Sequence, residues 1–186
     1  MLADPLGSSP HRSASEGRFG AAMGRTRLGL LAGAARAFAE QGLRRSTMQS
    51  VAAAAGVAKA TLYNHFRTKD EVARALLAVE LDRLSDAAAA LPTDQALAAL
   101  ADELGAHPVL RRLAESEPEV LAGLLGSDRW AALVGRLAAA LGVDEDGAEL
   151  AGRWLLGVVL QPGRSTTRHR HAARLAVVLG SSAPGQ

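Results

Sequence analysis

Between Arg25 and Leu179 apolar side chains return every third or fourth residue and are interrupted by glycine or proline. This is the period of helices that bury one face. No stretch alternates with the period of two that a half-buried strand requires, so an all-α fold is predicted. The first helix takes Leu28, Leu31, Ala32, Ala35, Phe38 and Ala39 as its inner stripe, and Gly42 can stop it in the left-handed conformation. Ser46-Thr47-Met48-Gln49 fits a capping box, with Ser46 over the amide of Gln49 and with Met48, Val51, Ala52 and Ala55 facing inward. The alanine run 52–55 lets another helix approach closely. Gly56-Val57 breaks it, and a short third helix from about Ala58 to Phe66 carries Leu62 and Phe66 on its inner face. Thr68 caps a fourth helix with Asp70 and Glu71 in its first turn, and its stripe of Leu76, Leu77, Leu81 and Leu84 runs on until Pro92 ends the pattern. Further helices are predicted over 93–106, 108–125 (with a possible break at Pro118), 128–141, 146–160 and 164–179, separated by Pro108, Gly126, Gly142 and Pro162-Gly163.

The second and third helices, joined by a tight glycine-containing turn, form a helix-turn-helix. The inner face Val57, Leu62 and Phe66 would fix the third helix on its scaffold. The outer face then presents Lys59, Ala60, Thr61, Tyr63, Asn64 and His65, a polar surface of the size that fits a major groove. Asn64 can pair with adenine, Lys59 can donate to guanine, and small Ala60 can approach a thymine methyl. Thr47, Tyr63, His65 and Lys69 suit phosphate oxygens, Thr47 and Lys69 because they sit at helix N-termini. Other readings stay open: His65 can cap a helix end, Lys69 can pair with neighbouring charges, and Arg44 and Arg45 are either phosphate contacts or a solvated turn.

The spacing Phe38-(x)3-Gly42, Thr47-(x)3-Val51-Ala52 and Gly56-Val57-(x)3-Thr61-Leu62-Tyr63-x-His65-Phe66-(x)2-Lys69 resembles the N-terminal domain of the tetracycline-repressor (TetR) family over about residues 25–77. The resemblance implies an all-α homodimer with a variable C-terminal domain for a small effector, usually a repressor that the effector releases. By position it makes Lys59, Ala60, Thr61, Tyr63 and Asn64 base-facing, and Thr47, His65 and Lys69 phosphate contacts. Two positions depart from the family pattern, which often has Ser at Ala58 and Gly at Ala60. An alanine at the start of the third helix forgoes a cap worth about 1 kcal/mol, so that helix is expected to order partly on DNA.

Composition adds bounds. The 186 residues are 48% hydrophobic but 3% aromatic, which suits closely packed Ala- and Leu-rich helices. The absence of cysteine excludes disulfides and thiolate metal sites and fits a reducing compartment. No apolar run approaches the ~18–20 residues of a membrane span, and a cytoplasmic protein is expected. Residues 1–80 carry 11 Lys and Arg against 6 Asp and Glu, and residues 81–186 carry 10 against 13. A basic front and an acidic back suit a molecule that offers one end to a polyanion such as double-stranded DNA. Residues 1–24 lack periodicity and are expected to be an unstructured arm, in which Arg12 and Arg18 either touch DNA or carry incidental charge. The expected division is then an arm (1–24), a DNA-binding domain (25–71, with helix four, about 69–90, as linker), a helical effector and dimerisation domain (72–180) and a frayed tail (181–186).

Enzyme signatures are lacking: there is no GxSxG, no phosphate-cradling glycine loop and no HExxH. No catalysis, cofactor or metal is expected. His169 and His171, two apart on a helix, face different ways and suit a solvated basic turn rather than a shared metal. For the dimer seam the candidates are Leu150, Trp154, Leu155, Val158, Val159, Leu175, Val178 and Leu179, with Gly152 and Gly157 permitting close contact. For an apolar effector pocket they are Leu113, Leu121, Trp130, Leu133, Leu137 and Trp154, with His107, Arg112 or Gln161 orienting a polar group. The rival readings are a helical interaction module whose helix-turn-helix no longer binds DNA, and an activator in place of a repressor.

Overall fold

The computed structural model describes residues 11–181, with side chains from Gly24 to Gly180. The N-terminal part holds helices α1 (His11–Arg45), α2 (Met48–Ala55), α3 (Lys59–His65) and α4 (Lys69–Ala89). The rest holds α5 (Thr93–Ala106), α6 (Pro108–Ser116), α7 (Pro118–Leu124), α8 (Ser127–Leu141), α9 (Glu145–Leu160) and α10 (Ser165–Ser181). No strand occurs among the described residues, and none of their helices is long and apolar enough to cross a membrane.

The helix α1 starts at His11, so residues 11–24 are helical where the sequence pattern predicts an unstructured arm. Once Arg25–Gln41 forms a packed helix, each added residue gains a hydrogen bond without a new nucleation cost. Residues 1–10 and 182–186, with the side chains of Arg12 and Arg18, lie outside the described residues. The buried stripe of α1 is Leu30, Leu31, Ala34, Ala37 and Phe38, whereas Leu28 and Ala32 face solvent. Of the predicted stripe, Leu31 and Phe38 are buried and Ala35 and Ala39 half-buried against the same core, so only Leu28 and Ala32 are misplaced; in a run with so many alanines and leucines the hydrophobic contrast is weak. The alanine run of α2 does meet a helix at close range: a methyl group on Gly33 of α1 would overlap the backbone of Ala55.

Two cores share α4. Phe38, Leu62, Phe66, Val72 and Leu76 form the first, and α6 and α7 complete it with Val109, Leu113 and Leu121. Leu84 and Ala88, farther along α4, join Leu97, Leu100, Val134, Leu137, Leu155 and Leu179 in the second. The first core therefore extends beyond α1–α3, and α6 packs directly on α1, the helix against which α2 is seated. Pro118 opens α7 and separates it from α6, the break anticipated at that residue.

Candidate nucleic-acid interface

Local chemistry fixes the α2–α3 pair. The α2 cap is Thr47, not Ser46: Thr47 Oγ1 accepts from the Ser50 amide at 3.0 Å, and Ser50 Oγ accepts from the Thr47 amide at 2.9 Å. Ser46 is buried and its hydroxyl donates to the Gly42 carbonyl at 2.6 Å, so it closes the end of α1 instead. The α2–α3 turn has Gly56 at φ 69, ψ 29, and its amide and that of Val57 return to carbonyls of the last turn of α2. Only glycine adopts this left-handed geometry freely.

Helix α3 is seated by Leu62, fully buried, and Phe66, 2% exposed. On its other side Lys59, Ala60, Tyr63 and Asn64 are exposed, while Thr61 and His65 are half-buried. Lys59 Nζ lies 5.6 Å from the centre of the Tyr63 ring, which holds both at the rim of the same face. Ala58 precedes the helix in an extended conformation and makes no side-chain cap bond, as the sequence predicts for alanine there.

Two cations differ from their expected surroundings. Lys69 Nζ donates to the carbonyls of Arg44 at 3.1 Å and Ser46 at 3.0 Å, tying α4 to the loop before α2. An ammonium has three donors, so one remains for a phosphate. Arg44 pairs with Glu119 at 2.7 Å, whereas Arg45 is exposed. Arg27, which sequence reasoning missed, places its guanidinium 4.3 Å from the centre of the Phe66 ring and extends the basic rim onto α1. No local motif marks it, since its partner lies in another helix.

The loop between α1 and α2 is held by one buried acid. At Gly42 (φ 78, ψ 170) the backbone takes a shape open essentially to glycine alone. Glu117, between α6 and α7, fills the space beside it: its carboxylate accepts from the Leu43 amide at 2.9 Å and from the Arg44 amide at 3.1 Å. A Cβ on Gly42 would collide with that carboxylate. Gly42 thus ends the straight run of α1, but with an extended ψ rather than the left-handed stop predicted for it.

This paired arrangement of α2 and α3, with its polar face outward, coincides with a known family. Residues 30–76 match the family model described as bacterial regulatory proteins, tetR family. The chain carries a TetR-family domain. The TetR-like architecture extends over most of the chain. A putative TetR-family transcriptional regulator from Mesorhizobium loti superposes with a TM-score of 0.63 at 16% identity, over 85% of this chain and 96% of that one. GusR of Salmonella enterica gives 0.62 at 21% identity, over 84% and 94%. The fatty acid degradation regulator FadR from Bacillus halodurans gives 0.61 at 16%, over 87% and 97%. At such identities the likeness is one of fold. No curated protein matches the chain.

Behind the TetR-family domain, the remaining candidates divide. Leu121, Trp130, Leu133 and Leu137 do line one apolar cavity, of about 100 Å³, between α4 and α9. His107 and Leu113 line an adjoining one of about 60 Å³. Trp154 belongs to neither; it borders a surface hollow with Gln161 and Pro162, because α9 turns it away from Trp130. Arg112 lines none of these, and its Nε is buried without a hydrogen-bond partner. Of the seam candidates, Leu155, Val158, Val159 and Leu179 are buried within this one chain and cannot face a second. Leu150 and Val178 are exposed, Trp154 and Leu175 half-buried, and Leu160 and Val177 add to the exposed apolar surface. The Arg168–His171 run is within α10, not a turn. Arg168 and His169 both bind Asp102 of α5, at 2.5 and 2.6 Å. Among the described residues no group of three or more His, Cys, Asp or Glu is placed to hold a metal.

Proposed function

We propose that this protein is a dimeric, sequence-specific DNA-binding regulator, a repressor that a small effector releases from a palindromic operator. The observation that carries the reading is α3, anchored by Leu62 and Phe66 with Lys59, Ala60, Tyr63 and Asn64 turned outward. In that orientation Asn64 and Lys59 reach base edges, and Ala60 and Thr61 lie against the groove floor. Tyr63, His65, Thr47 and the spare donor of Lys69 contact phosphates, with Arg27 as a further cation on the same rim.

A second copy is supported by the apolar surface of α9 and α10, where Leu150, Leu160, Val177 and Val178 are 45–74% exposed. Such a surface is costly in water and is covered when two copies pair around a two-fold axis. The effector half of the proposal rests on the cavities behind α4. Selecting fragments bound by the purified protein tests the whole. An enriched inverted repeat with half-site centres about 34–36 Å apart, or a multiple, supports it. Affinity should fall steeply with added salt as phosphate counterions are released. No enrichment at low salt would favour the interaction module with an idle helix-turn-helix.

A further inference from the structure

The two cavities behind α4 share Leu77, Leu81, Leu84, Leu104, Leu110 and Leu124 as a common wall. The larger reaches Trp130 and Ser85, and the smaller ends at His107 and Glu80. Apart from Ser85, His107 and Glu80 their lining side chains are apolar. Glu80 accepts from Arg83 at 3.0 Å, so its charge is already answered. Together the two spaces are on the scale of the engineered apolar cavity of about 150 Å³ that stays dry and admits benzene.

His107 is the polar group that sets the chemistry. Its Nδ1 accepts from the Leu110 amide at 3.4 Å as the cap of α6. An amide N–H only donates, so Nδ1 is the acceptor, and a neutral ring then carries its proton on Nε2. Burial pushes the imidazole pKa below its ordinary value, which keeps the ring in that neutral form. The charged groups that act on it are Glu80 and Arg83 of α4 and Glu103 of α5, and Arg83 binds both carboxylates. The polar end of the site therefore offers one neutral donor, with no unpaired charge.

We propose that the two cavities form a single site for a small uncharged molecule, an aliphatic or compact cyclic body ending in one carbonyl or hydroxyl oxygen that accepts from His107. This rests on the effector reading above and gives it a ligand class. A carboxylate would enter beside Glu80 and a hydrophobic wall, and an ammonium would lose its water for a donor it cannot use.

The test is thermal unfolding and calorimetric titration of the full chain with 2-octanone, 1-octanol, octanoate and octylammonium, followed by the same probes on protein bound to its selected operator. The ketone and the alcohol are expected to raise the midpoint and to bind about tenfold or more tighter than either ion. His107→Asn retains a good helix cap but withdraws the imidazole donor; it should weaken the ketone about fivefold, in line with one lost hydrogen bond. Ala140→Leu, which puts bulk into the cavity wall, should abolish binding of every probe while leaving the fold intact. Octanoate binding as tightly as the ketone, or no probe shifting the midpoint, overturns the proposal. Tight ketone binding by a protein that captures no DNA would sink the regulator reading and leave this site standing.

Discussion

Glu117 is 5% exposed, and its carboxylate is satisfied by the main-chain amides of Leu43 and Arg44. Hydrogen bonds to a charged group are strong, and removing the acid would leave those amides facing a void. Glu117→Ala is expected to cost about 3 kcal/mol in urea unfolding, and the near-isosteric Glu117→Gln about 1 kcal/mol because one acceptor oxygen survives. Gly42→Ala should cost about as much as the first, since the alanine must leave φ 78 and displace the same carboxylate. On α3 the single-residue effects fall into two kinds. Tyr63→Ala should weaken binding to all duplexes by a similar factor, whereas Asn64→Ala should relax preference at one base pair per half-site at a cost of about 1–3 kcal/mol on the selected operator alone. Competition with random DNA separates them: equal losses on both for Asn64→Ala would remove it from the base-reading set.

At the level of elements, α3 is short and enters without a side-chain cap. Ala58 already has the extended conformation of an N-cap, so Ala58→Ser should add about 1 kcal/mol to the helix and slow amide exchange there, with operator affinity rising because less order is left to form on DNA. Helix α10 docks on α5 through Asp102. Burial pushes the pKa of Asp102 up, but hydrogen bonds from His169, Arg168 and Ser165 outweigh it and hold the carboxyl below its usual 3.8. A carboxylate with a lowered folded pKa stabilises fully above its unfolded value and loses that contribution as pH falls through the folded one. The melting difference between wild type and Asp102→Asn should therefore be largest near neutrality and shrink below about pH 4; a constant difference would mean the pair contributes by packing alone. These elements also mark what the sequence could reveal. Proline, glycine and Thr68 declare helix ends, and α2 to α5 and the break at Pro118 were readable from them. The edge of the α1 stripe was not, because Leu28 and Leu30 are equally apolar and only the partner helix chooses which of them is covered. Ser46 and Thr47 are equivalent capping residues until the end of α1 claims Ser46. Glu117 was invisible for a related reason: a buried acid whose partners are backbone amides of a distant loop leaves no spacing to detect.

At the scale of the molecule, the proposed function needs two reading heads at a fixed separation, and the exposed apolar side chains of α9 and α10 are the surface we propose for the second copy. The α9 and α10 helices bury Leu155, Val158 and Leu179 inward, yet still hold Leu150, Leu160, Val177 and Val178 outward. Sequence alone could not divide these two sets, since all lie on the same apolar helices and differ only in which way each helix is turned. The outward set predicts its own test. Val177→Glu combined with Leu160→Glu places like charges on a surface that is solvent-facing in the single chain, so each copy should fold with an unchanged far-ultraviolet spectrum. Facing copies would then bring those charges together at a desolvated seam, at a cost far above that of a surface substitution. Sedimentation should show wild type as two copies and the double variant as one. The variant should also lose affinity for the full inverted repeat while binding a single half-site as weakly as wild type does, because α3 and its polar face are untouched. If the variant remains two copies, the seam lies elsewhere. If it becomes one copy and still binds the full repeat at wild-type affinity, pairing is not what gives this protein its hold on DNA, and the spacing argument falls with it.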